Sequence, residues 1–255
     1  MAVLSDKKRN TVKMSERCIR YVAVVTAEIF VLITLVFMLV KGDRDRILTA
    51  LATVFLVLLP DITEKMFDCR ISLPVYIFAC LYALGPMMGK CLNFYYTVYG
   101  WDKLLHISGG VMFAFFGVFL FERLAGRRRE TMVIAAIFGL CFSIAVSAVW
   151  EFFEFGHDVL LGGDMQMDTV IHEMHSYMLS DMVGESGELK EIKNVTVNGK
   201  PLPVDGYIDI GLIDTMKDMI LESVGALAVA VIYIMKKGRL QIFSDREKGD
   251  CGAVC

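Results

Sequence analysis

Residues 132–155 read MVIAAIFGLCFSIAVSAVWEFFEF. No side chain from Met132 to Trp150 is charged. A helix needs about 20 apolar residues to cross roughly 30 Å of hydrocarbon. A helix at the surface of a soluble domain would keep one polar face, and this stretch has none. It reads as a membrane span, so the rest of the chain must suit the same solvent.

Working outward, Ile213–Met235 is a second such stretch, closed by Lys236, Lys237 and Arg239. Upstream lies His106–Phe121, entered through Tyr95, Tyr96, Tyr99 and Trp101, residues suited to the membrane interface. Leu73–Met88 is another. Ile47–Leu59 is short, and spans only if its helix runs past Pro60 and Asp61 toward Lys65. Tyr21–Val40 is interrupted by Glu28 alone and has no small-residue cleavage site after it, as a retained first helix requires. Composition agrees: 255 residues, 56% apolar, with a mean hydropathy of +0.56, suit one membrane bundle. A net charge of −3 with no basic face excludes nucleic-acid binding as an expectation. The seven cysteines show no CxxC spacing and read as thiols, not as a disulfide framework.

Charge sets the expected direction. With the N-terminus inside, 17 Lys and Arg fall on inner segments and nine on outer ones, with Arg123, Arg127, Arg128 and Arg129 forming the clearest inner turn. The expected architecture is an all-α integral membrane protein, a six-helix transmembrane bundle, N-in and C-in. Its parts are a basic cytoplasmic N-terminus (1–20), spans one to five (21–155), an outward-facing mixed loop domain (156–212), span six (213–235) and a cytoplasmic tail (236–255). From Glu151 to Ile213 there are twelve acids against three lysines. In the loop, Asn198-Gly199 signals a tight hairpin turn. Asp168–Met182 is expected to form a short helix with an apolar stripe of Val170, Ile171, Met174, Tyr177 and Met178. Asp61 and Glu64 are expected at a solvated helix end, and Glu28 turned inward from lipid.

Spans four, five and six share one design. At four-residue spacing they carry Asp102, His106, Gly110, Ala114; Ala135, Gly139, Ser143, Ser147, Glu151; and Asp214, Asp218, Glu222, Ala226, Ala230. Residues four apart share a helix face. Small residues let membrane helices approach closely, so facing stripes would bring their ionisable ends together. Acids crowded in a poorly hydrated place must share protons, pair with Lys103 or Lys217, or bind a cation. Asp102, His106, Glu154, His157, Asp214 and Asp218 are the candidate metal ligands, and Glu151 and Glu222 the candidate catalytic carboxylates. Imidazole with carboxylate oxygens suits a divalent Zn, Mn or Fe better than Ca or Mg. The plainer reading is that Asp102 and Asp214 cap helices and that Glu151 to Asp158 leave the bilayer.

Trp101-Asp102-Lys103-Leu104-Leu105-His106, Trp150-Glu151-Phe152-Phe153-Glu154 and the run from Asp209 to Asp218 resemble the YjdF-like family of bacterial inner-membrane proteins. That resemblance implies a multi-pass protein of the bacterial cytoplasmic membrane and no particular reaction. Over the last three spans, Asp102-Lys103-x-x-His106, a later Glu and an acid-rich helix ending in Gly225-Ala226 are also similar to VanZ-like proteins. Three functions then compete. The first is a metal-dependent enzyme acting on a lipid or cell-envelope substrate at the outer leaflet. The second is a transporter or ion- or proton-coupled binding protein, and the third a non-catalytic envelope assembly factor.

Overall fold

A computed structural model describes residues 2–126, 128–238 and 242–245. Side chains before Met14 lie outside that set, as do Arg127, Arg239 and the end of the tail with Cys251 and Cys255. The described chain is mostly helical. Six helices are long and apolar enough to cross a membrane: Met14–Lys41, Arg44–Met66, Leu73–Cys91, Trp101–Ala125, Met132–Leu161 and Leu212–Met235.

Each forms for a readable reason. α1 (Ala2–Lys41) ends at Gly42, whose positive φ a side chain would strain. α2 (Arg44–Val57) is capped by the Asp43 carboxylate, which accepts from the Arg46 amide. α3 (Leu59–Met66) follows after one turn residue. Pro60 sits in its first turn, where a missing amide proton costs nothing, so the second span continues past Pro60 as its length requires. α4 (Leu73–Cys91) carries Pro86 inside it, which removes the amide that would bond the Tyr82 carbonyl. The short α5 (Phe94–Thr97) leads into α6 (Trp101–Ala125); α7 (Met132–Leu161) and α8 (Leu212–Met235) complete the set.

The chain divides into two compact units, Met1–Ser143 with Glu222–Cys255, and Ile144–Leu221. In the first unit α1, α2 and α4 pack through Val31, Met38, Ala50, Val57 and Met87, all fully buried. α6, α7 and α8 pack through small residues instead. A Cβ on Gly110 would meet the Glu222 carbonyl, and one on Gly225 would meet the Ile107 carbonyl, so α6 and α8 touch backbone to backbone. A Cβ on Gly139 would lie 2.6 Å from the Ala114 carbonyl oxygen, closing α6 on α7. Ser143 donates to the Gly110 carbonyl at 3.2 Å. Substituting Gly110 with Ala should therefore force α6 from α8. We expect a loss of about 1–3 kcal/mol, read as a lower Tm in detergent, whereas Gly100→Ala, which meets nothing, should lose only what its positive φ demands.

At the opposite end of this unit the sequence expectation is corrected. Glu64 is not solvated: it is buried and pairs with the equally buried Arg20 at 2.6 Å, and with Arg70 at 3.2 Å. Arg20 also donates to the Ile71 carbonyl and lies over the Tyr76 ring at 4.6 Å. The Ile71 amide donates to Glu64 and the Tyr76 hydroxyl to Asp61, each at 2.8 Å. The cause is reach: a first-span arginine folds onto a carboxylate 44 residues later in the chain. Strand β1 (Cys69–Ile71), carrying Arg70 and Ile71, pairs antiparallel with a strand at 243–245.

In the second unit, residues 162–211 form short ribbons and no α-helix. β2 (Val170–Ile171) pairs with the strand Tyr207–Ile208, and β3 (Met174–Ser176) with β4 (Gly187–Leu189). The helix expected over Asp168–Met182 is thus overturned, apart from a 3-10 turn at Tyr177–Leu179. A lone helix of that length is marginal, the β-branched Thr169, Val170 and Ile171 favour extended backbone, and partner strands are at hand. The hairpin reading holds: β5 (Thr196–Val197) and β6 (Lys200–Pro201) pair around Asn198 and Gly199, both at positive φ as the tight turn demands. The five described cysteines form no disulfide.

Candidate functional site

Within the first unit, α6 and α8 build one polar group. His106, one turn below Asp102 on α6, is buried between two carboxylates. Its Nε2 lies 3.6 Å from Asp102 Oδ1, and its Nδ1 lies 3.9 Å from Glu222 Oε2. Lys103 Nζ stands 2.9 Å from the other Asp102 oxygen. The contact of the Gly110 and Glu222 backbones is what brings the Glu222 carboxylate to His106. Glu222 is buried, and its Oε1 has no hydrogen-bond partner among the described residues. An imidazole with an acid at each nitrogen can carry a proton between them, or offer one nitrogen to a metal while the other is held.

The second unit holds the other candidates. Glu151, Glu154, Asp214 and Asp218 are buried, Asp218 most completely, and Ser147 is buried with a hydroxyl that has no partner among the described residues. Glu154 accepts the Trp150 indole proton at 2.8 Å. Asp214 accepts the Met167 amide at 3.1 Å. His157 lies 3.2 Å from Asp158, whose carboxylate also accepts the Met165 and Gln166 amides at 2.7 and 2.8 Å. These bonds tie the segment after α7 to the helices at its two ends. Of every stripe position named from the sequence, only Asp102 is not buried.

Asp209 anchors the same segment. Burial opposes its charge, but amide donors from Thr169, Ile213 and Gly211 outweigh it and hold its carboxyl below the usual range. A folded pKa below the unfolded one stabilises above the unfolded value, and the effect is lost as pH falls through the folded one. The protection of the Thr169 and Ile213 amides, measured against their intrinsic exchange rate at each pH, should therefore fall at acid pH. Asp209→Ala should show that lower protection already at pH 7.

Sequence reasoning missed Tyr82 of α4. A Cβ on Gly109 would lie 2.7 Å from the Tyr82 hydroxyl and 3.8 Å from the Glu222 carboxyl carbon, so the bare Gly109 is what lets the Tyr82 hydroxyl pack on α6. The local trace was Pro86, one turn beyond Tyr82. Glu28 in the first span is half-buried, with one carboxyl oxygen buried and unpartnered among the described residues.

A family model for a predicted membrane protein family, DUF2238, matches residues 22–239 and so takes in all of these groups. No curated protein and no solved structure matches the chain.

Proposed function

We propose, for a chain that belongs to the DUF2238, YjdF-like family of multi-pass membrane proteins, a divalent-metal site serving an enzyme of lipid or cell-envelope chemistry. The observation that carries this is His106, buried on α6 with a carboxylate at each ring nitrogen. Asp102 and His106 are the ligands from α6. Asp218 is the ligand from α8, because it lies one turn before Glu222 on the face that Glu222 turns toward His106. Asp214, Glu154 and His157 already hold local structure. One imidazole with carboxylate oxygens fits Zn, Mn or Fe. A metal so held would polarise a phosphoryl or carbonyl oxygen, and Glu151 would take the proton from an attacking water. The N-in, C-in direction, with residues 162–211 outside in a bacterial cytoplasmic membrane, sets the site at the outer leaflet; the excess of Lys and Arg on the inner segments supports it.

Metal analysis of the purified, chelated and reloaded full chain tests the site. Wild type should retain stoichiometric Mn(II) or Zn(II), and Asp218→Asn should not. Equal retention in both, or none in either, refutes it. Headgroup release from a mixed bacterial lipid extract, present with metal and lost in Glu151→Gln, tests the enzyme.

The buried oxygens of Glu28 and Glu222, without partners among the described residues, favour a second reading, cation or proton coupling through the bundle. It predicts pH-driven flux in proteoliposomes that falls in Asp218→Asn. Flux equal in the two refutes it.

A further inference from the structure

The hairpin of β3 and β4 turns apolar side chains outward at its tip. Tyr177, Met178, Met182 and Val183 are all exposed there, Met178 at 94% and Val183 wholly. Large apolar side chains gathered at one spot of a loop outside the spanning helices mark a contact surface. The tip is also well built. The Ser176 and Ser180 hydroxyls accept the Met178 and Met182 amides, each at 3.1 Å, and the Glu185 amide donates to the Met182 carbonyl at 3.3 Å. A Cβ on Gly187 would meet the Leu179 carbonyl, so the bare glycine lets the two arms close behind the tip. The four side chains are held out by formed backbone, and little ordering remains for a partner to impose.

Charge narrows what fits there. From His172 to Leu189 the chain carries Glu173, Asp181, Glu185 and Glu188 and no Lys or Arg. Glu188 meets Lys190 at 2.7 Å, whereas Asp181 and Glu185, exposed on either side of Met182 and Val183, have no ion pair among the described residues. A leaflet bearing anionic lipid would repel these acids. A second copy in a symmetric contact would set the same acids against them. A small cation would leave the apolar side chains uncovered. We propose that the tip docks a partner protein whose contact surface is an apolar socket rimmed by Lys and Arg. Tyr177, Met178, Met182 and Val183 fill the socket, and Asp181 and Glu185 meet the rim. Tyr and Met suit the centre of such a contact, the one as a rigid ring and the other by adapting to an irregular wall. The rim charges select the partner and speed the encounter. This surface is built from the ribbons alone and does not depend on the proposed metal site.

The experiment is photo-crosslinking of the full chain in its own cells, with p-benzoylphenylalanine as the probe at Met178 and, separately, at Val183. Both positions should give the same adduct with a different protein. The peptide attached to the probe, read by mass spectrometry, should be apolar with Lys or Arg close by. Asp181→Lys combined with Glu185→Lys should lower the adduct yield at least tenfold. Asp205→Lys, which reverses an exposed acid outside the hairpin, should leave it unchanged. All of these substitutions lie on the surface, and equal amounts of chain in the membrane fraction are the control. An adduct with lipid means that the tip enters the bilayer, and an adduct of twice the chain's mass means a second copy; either overturns the proposal. So does the absence of any adduct, an attached peptide without Lys or Arg nearby, or a yield that the double charge reversal leaves unmoved.

Discussion

His106→Ala is expected to weaken Mn(II) binding by on the order of 100-fold, since each ligand of a tightly held divalent ion supplies a few kcal/mol. The loss should be specific. His172→Ala and His175→Ala remove imidazoles from the ribbons of the second unit, where His172 is exposed and His175 pairs with Glu188 at 3.5 Å, and should leave affinity unchanged. Asp218→Asn should lose as much as His106→Ala, and the double variant little more, because a site missing one ligand has already lost its geometry. Competition against a fluorescent chelator measures all five. Loss in the controls would mean that the ribbons bind the ion instead.

The second large effect concerns stability. Glu64→Leu should cost about 3–5 kcal/mol, because it leaves Arg20 buried with its carboxylate gone. Removing both charges is different: Arg20→Met with Glu64→Leu should recover most of that loss, as apolar replacements of buried pairs often do. The Ile71 contacts temper the recovery, since Arg20 donates to its carbonyl and Glu64 accepts its amide. Denaturation followed in detergent gives both numbers. If the single variant melted like wild type, the pair would contribute nothing to the fold.

These two groups differ in how visible they are before the structure. The membrane helices follow from composition alone, and the four-residue spacing of Gly110, Ala114, Gly139, Ser143, Ala226 and Ala230 names the faces that pack. That periodicity is local, so one sequence suffices to see it. Asp102, His106 and Glu222 were legible for the same reason, as continuations of packed faces. Glu64 was misread because its partner Arg20 lies 44 residues earlier and no local pattern links them. The segment around Val170 was misread because its strand partners, Tyr207 and Ile208, are equally remote, and ribbons of two residues carry almost no alternation to detect. Tyr82 was passed over since one aromatic in an apolar span resembles any other, and only the bare Gly109 opposite it lets the hydroxyl pack against α6.

The proposed site depends on His106 as the nitrogen ligand of a divalent ion. Pulsed electron paramagnetic resonance of Mn(II) bound to the full chain, prepared with 15N-histidine, reads that bond directly. Wild type should show one directly coupled histidine nitrogen, kept in His157→Gln and absent in His106→Gln. A bound Mn(II) with no nitrogen coupling, or a coupling that survives in His106→Gln, would contradict it.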